Sequence, residues 1–152
     1  MSRRLAILAT CLALVVAATL AAPVAAVQVR LRVSASPSPM NFGSLVVGQE
    51  SAPQVLYVTN RSIIPIRWTG TVYQYGPNSF TSWKVDFGGI SGMTASCYDL
   101  PDQTIQPGQT CSLDVFTFKP TATGAHSLSV GMRFTDGVGV VDLWISAKGK
   151  GI

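Results

Sequence analysis

The chain has 152 residues, with 11 Lys and Arg against 7 Asp and Glu, a formal net charge of +4 and one His. That length suits one domain with an appendage and excludes a large two-domain enzyme. Hydrophobic residues make up 47% and charged residues 12%. This excludes a disordered chain and leaves the surface to Ser, Thr, Gly, Asn and Gln, because charge is about half its usual share.

The first segment reads as an export signal. Arg3 and Arg4 precede an apolar run from Leu5 to about Ala22, and Val24-Ala25-Ala26 ends it with small residues. A basic start, an apolar core and a small-residue cleavage site are the parts of a secretory signal. Cleavage is expected between Ala26 and Val27, giving a signal peptide over 1–26. Its removal halves the excess charge from +4 to +2, removes Cys11 and leaves Cys97 and Cys111. No stable membrane insertion is expected after cleavage.

The rest of the chain has no stretch with helical period. Val27, Val29, Leu31 and Val33 alternate with polar residues, which predicts an N-terminal strand or arm over 27–35. Ser36-Pro37-Ser38-Pro39 breaks it, because proline cannot donate to a ladder. Phe42, Leu45 and Val47 are the expected inward residues of the next segment. Gln54 to Thr59 reads as a strand with Leu56 and Val58 on one face, and Ile63 to Val72 as another with Ile66 and Trp68 pointing together.

Turn signals at Gly76-Pro77-Asn78 lead to an expected strand from Phe80 to Phe87. Gly88 to Asp102 reads as loop. Pro107-Gly108 turns into a run in which Cys111, Leu113 and Val115 alternate with Ser112, Asp114 and Phe116. Leu128, Val130 and Met132 mark a further strand. Val141, Leu143 and Ile145 alternate with Asp142, Trp144 and Ser146 in the last. Seven to nine short strands in one all-β domain over 36–152 predict two antiparallel sheets packed as an immunoglobulin-like sandwich.

The landmarks are Phe42-Gly43, Val47-Gly48, Thr59-Asn60, Pro65-Ile66, and the run from Ile105 through Pro107-Gly108 and Cys111 to Phe118-Lys119-Pro120, completed by a closing Gly149-Lys150-Gly151. In this order they resemble the bacterial choice-of-anchor D domains and the related ASH/Hydin-like domains, kin of the major sperm protein fold. The resemblance covers about 36–151. It implies a non-catalytic module used in adhesion, scaffolding or assembly. The stretch from Tyr73 to Ser96 is longer and more aromatic than the pattern expects.

Four readings concern sites. Cys97 and Cys111 enclose 13 residues and suit a structural disulfide, as expected of an exported chain. His126 reads as a solvated turn residue, and one His nominates no nucleophile–base pair, so no enzymatic activity is expected. The Asp residues read as turn and outward-face groups. Asp99 and Asp102 fall far short of a calcium ligand set, so neither a metal nor a cofactor is expected. Basic residues are scattered, which argues against nucleic acid.

The partner expected is another protein, and a glycan is the alternative. An aromatic stretch holding Tyr73, Tyr75 and Trp83, with Tyr98 nearby, is either an exposed binding surface or a second core layer. Trp68 and Trp144 read as packing residues. The expected location is periplasmic or extracellular. A part in pilus or surface-structure assembly stays open.

Overall fold

A computed structural model describes residues 30–77, 79–87 and 95–152. The expected signal peptide and its Ala26–Val27 cleavage site lie outside the described residues. Among the described residues, nine strands run in chain order: β1 (Val33–Ser36), β2 (Met40–Leu45), β3 (Gln54–Asn60), β4 (Ile66–Tyr75), β5 (Trp83–Phe87), β6 (Thr104–Ile105), β7 (Thr110–Phe118), β8 (Gly124–Thr135) and β9 (Val140–Gly151). They form two sheets, ordered β1-β3-β7-β5 and β2-β9-β8-β4-β6. This is the all-β sandwich that the alternating runs predict.

The alternation places the core. Leu56 and Val58 of β3 face Leu128, Val130, Met132 and Phe134 of β8 across the gap between sheets, and all are fully or almost fully buried. Ile66 and Trp68 join them from β4, as expected. Each fully buried aliphatic side chain contributes about 1.5–3 kcal/mol relative to exposure, so this double layer dominates stability.

Several elements depart from the sequence reading. β2 pairs with β9 in parallel, so the sandwich is not wholly antiparallel. The two strands come from opposite ends of the domain, which frees them from the hairpin geometry that forces antiparallel pairing. β1 starts only at Val33 and runs to Ser36, although Leu31, Val33 and Ala35 do pack on the core. Val47 is exposed, because the backbone there leaves the sheet to bond Ile152 O and Pro120 O. The expected strand from Phe80 begins at Trp83, since Phe80–Ser82 form a 3-10 turn closed by Ser82 N donating to Ser79 O at 3.0 Å.

Trp144 is not a packing residue. Val141, Leu143 and Ile145 take the inward face of β9, so Trp144 points out and is 51% exposed. His126 is also misplaced by the sequence reading. It lies buried in β8, with Nε2 bonded to Ala122 O at 2.9 Å and its ring beside Phe118.

The landmark residues have local jobs. Asn60 is fully buried. Its Nδ2 donates to Ile64 O and Ile105 O, and its Oδ1 accepts from Ser62 N. Those bonds occupy both ends of its side-chain amide. Gly149 and Gly151 fall on the inward face of β9. A Cβ at 149 would strike the Phe118 ring, and one at 151 the Ala122 carbonyl. Gly151→Ala is therefore expected to cost about 1–2 kcal/mol through overpacking. An unchanged melting temperature would show that the backbone around 151 simply moves aside.

Candidate functional site

The chemistry of this domain gathers where β7 changes phase. Val55 of β3 pairs with Val115, but Tyr57 pairs with Ser112, so β7 carries an extra residue between them. Such a bulge turns the strand and shifts which residues face inward. Below it, Cys111 and Leu113 face the core. Above it, Asp114, Phe116 and Phe118 share the face of Phe87, Val85 and Trp83 on β5. The bulge thus drives Asp114 into the interior, where it is fully buried. The sequence reading of an outward-facing Asp114 does not hold.

Two phenols hold this carboxylate. Tyr73 of β4 donates to Oδ2 at 2.5 Å, and Tyr98 donates to Oδ1 at 2.9 Å. The group therefore ties β7 to the opposite sheet and to the 3-10 turn at Cys97–Asp99. Burial raises the Asp114 pKa, and the Tyr73 and Tyr98 bonds oppose that rise without cancelling it. Both phenols are pushed well above their ordinary range, first by burial and then by the neighbouring carboxylate. At neutral pH this site holds protons on the phenols rather than moving them.

The disulfide secures the same turn. Cys97 and Cys111 are bonded, with Cα atoms 5.1 Å apart, and both are buried. Ser112 N donates to Ala95 O, and Ser96 bridges Ser112. Tyr98 meets Trp68 edge-on at 4.6 Å between centroids. The cross-link, the bridge and the ring contact together fix Tyr98 over Asp114.

The four residues expected as a binding surface do not form one exposed patch. Trp83 is 7% exposed and packs against Phe42 and Phe118. Tyr73 and Tyr98 converge on Asp114, half-buried. Tyr75 is half-buried and edge-on to Phe80 at 5.0 Å. The reason is that Tyr73 and Tyr75 share the inward face of β4 with Ile66 and Trp68, paired to Val130 and Leu128. The exposed aromatics are their neighbours Phe80 and Phe87, at 71% and 66%.

These two phenylalanines mark an open side of the sandwich. Among the described residues, β7 is the only strand beside β5. β6 covers β4 only at Ile66 and Arg67, which leaves Thr71 to Tyr75 paired to β8 on one side. Phe87 reaches Tyr73 across the gap, at 6.1 Å between centroids. Lys84 and Asp86 pair on the exposed surface at 3.1 Å. Among the described residues no three His, Cys, Asp or Glu lie grouped for a metal.

No family model matches this chain. No curated protein matches it either. Among solved structures, the ASH/PapD-like domain of human CEP192 (PapD-like domain 7) is similar over 79% of this chain and 84% of that one, with 13% identity and a TM-score of 0.51. The sandwich resembles an ASH/PapD-like domain. The VesB protease of Vibrio cholerae is similar over 79% of this chain at 16% identity and a TM-score of 0.57, but only 31% of that chain is covered. This chain thus spans less than a third of that protease. Both likenesses concern the fold.

Proposed function

We propose that this chain is an exported, non-catalytic sandwich module that makes protein contacts through its β5 edge. The observation that carries the reading is the open side just described, an edge strand rimmed by Phe80 and Phe87. An uncovered edge offers unpaired N–H and C=O groups to another strand. Strand addition then takes affinity from the backbone and specificity from side-chain contacts. Exposed aromatics beside that edge would supply such contacts.

The other parts of the reading have their own support. The buried disulfide suits an oxidising compartment, and no helix among the described residues is long and apolar enough to cross a membrane. The sole His is buried, with Nε2 bonded to Ala122 O, which favours a binding role over acid–base chemistry. The ASH/PapD-like likeness fits a module of this kind, and the ordered landmarks from Phe42-Gly43 to Gly149-Lys150-Gly151 favour a choice-of-anchor D affiliation.

Site-specific photo-crosslinking tests the edge. A benzophenone amino acid at position 87 or 80, in the source cells, is expected to give a discrete protein adduct. The same probe at Val138, 98% exposed in the β8–β9 turn, is expected to give none. Adducts equal at all three positions, or absent from 87 and 80, would overturn the assignment.

A further inference from the structure

The outer face of the second sheet carries a different feature, remote in kind from the β5 edge. Three cross-strand rows are set by the register. Val72, Gly131 and Trp144 form the middle row. Gln74, Ser129 and Ser146 lie on one side of it, and Arg133 with Asp142 on the other. A groove of about 270 Å³ runs between the middle row and the Arg133–Asp142 row, with Gly70 and Gly131 in its lining.

The groove depends on what residue 131 lacks. A Cβ there would come within 2.6–2.8 Å of the Trp144 benzo ring. Gly131 therefore lets the indole lie across β8 towards Val72. Beside it, Arg133 Nε and Nη2 bond Asp142 Oδ1 and Oδ2 at 2.7 and 2.8 Å. That bidentate pair fixes a planar fork and keeps the local charge neutral. Arg133 retains N–H donors and Asp142 retains lone pairs beyond those two bonds.

We propose that this groove binds a neutral sugar ring, with one ring face on Trp144 and hydroxyls on Arg133 and Asp142. An aromatic side chain offers a rigid apolar platform of large area. A pyranose matches it, because its C–H face is apolar while its hydroxyl rim both donates and accepts. The ion pair presents donors and acceptors together along one wall of the groove. A net-neutral polar frame selects against a fully charged ligand. The volume is near the small end of ligand sites, roughly 300–1,000 Å³, so one or two rings fit rather than a buried chain. Trp144 would then be the contact residue, and Gly131 a positioning residue.

The test is an NMR titration of the intact protein with neutral oligosaccharides: β-1,4-glucan, α-1,4-glucan, chitin and mannan trimers, each to about 10 mM, a range that detects Kd values near 1 mM. At least one is expected to shift the Trp144 indole N–H and the amides of 131 and 133. Trp144→Ala should abolish the shifts with the melting temperature kept. Gly131→Ala should weaken binding about tenfold or more, and Phe87→Ser should leave it unchanged.

Four outcomes would overturn the proposal. They are no shift at the groove with any of these sugars, and binding that survives Trp144→Ala. They are also acidic sugars binding tenfold tighter than their neutral counterparts, and shifts that grow with protein concentration alone, which would make the face a contact between copies of this chain. Loss of the Phe87 crosslink would leave this result untouched, because the two sites share no residue.

Discussion

The double variant Cys97→Ser/Cys111→Ser is expected to lose about 3 kcal/mol of unfolding free energy, the loop-closure value for a cross-link of this span. The two cysteines stand 14 positions apart. Their bond joins the 3-10 turn to the strand that carries Asp114. The loss should therefore reach past the loop. With Tyr98 less firmly held, Asp114 loses part of a donor, and its carboxyl pKa should rise further. Urea denaturation of the oxidised protein and the double variant measures the effect. A difference under about 1 kcal/mol would show that packing by Trp68 and Tyr98 holds the turn without the cross-link.

Tyr73→Phe should give the second large effect, and its size depends on pH. The ring and its contact with Phe87 remain, but a buried carboxylate loses one of two donors. Hydrogen bonds to charged groups contribute roughly 1.5–3 kcal/mol, and that is the loss expected at pH 7–8. The folded Asp114 pKa is already raised by burial, above an unfolded value near 3.9. This group's contribution is thus most favourable below the unfolded pKa. It declines as pH rises through the raised folded pKa, because the native state holds the proton longer.

Removing the Tyr73 donor raises that pKa again. The cost of Tyr73→Phe should therefore be smallest in acid, where the bond is neutral to neutral and about half as strong, and should grow as Asp114 ionises. Tyr75→Phe, whose ring packs on Phe80, is the control and should be near neutral. Urea midpoints at about five pH values from 4 to 8 decide it. A Tyr73→Phe cost independent of pH would mean that Asp114 does not ionise in the folded protein.

The strands that could be read from the sequence were those with one wet face. β3, β8 and β9 alternate cleanly, and each side chain that alternation sends inward along Leu56–Val58 and Leu128–Phe134 is buried. The cysteine pair was legible too, because an exported chain leaves few other uses for two thiols. β7 was not, because its bulge breaks the period. Leu113 belongs to one inward phase, and Phe116 and Phe118 to the next. That switch is visible in the sequence as two apolar phases meeting at an aspartate, and it is the one signal that could have located Asp114.

Residue type alone makes Trp144 a packing residue, but its position in β9 does not. Its own alternation with Leu143 and Ile145 sends it outward. The aromatic stretch could not be divided from sequence, since a register shift between Trp68 and Gly70 and a 3-10 turn at Phe80–Ser82 each reset which aromatics face in. Tyr73, Tyr75 and Trp83 went to the interior, and Phe80 and Phe87 to the rim.

The parallel pairing of β2 with β9 has a consequence for the order in which the domain can be made. β9 sits between β2 and β8, and Met40 waits for Ala147 about a hundred residues later. A chain growing from its N-terminus can pair β4 with β8 before that point, but β2 has no sheet to join until β9 emerges. Such distant pairing is slow, in the millisecond-to-second range of all-β domains. Until then the β8 edge and the apolar side of β2 stay uncovered, and both are open to wrong partners. β9 is thus the strand that closes the second sheet.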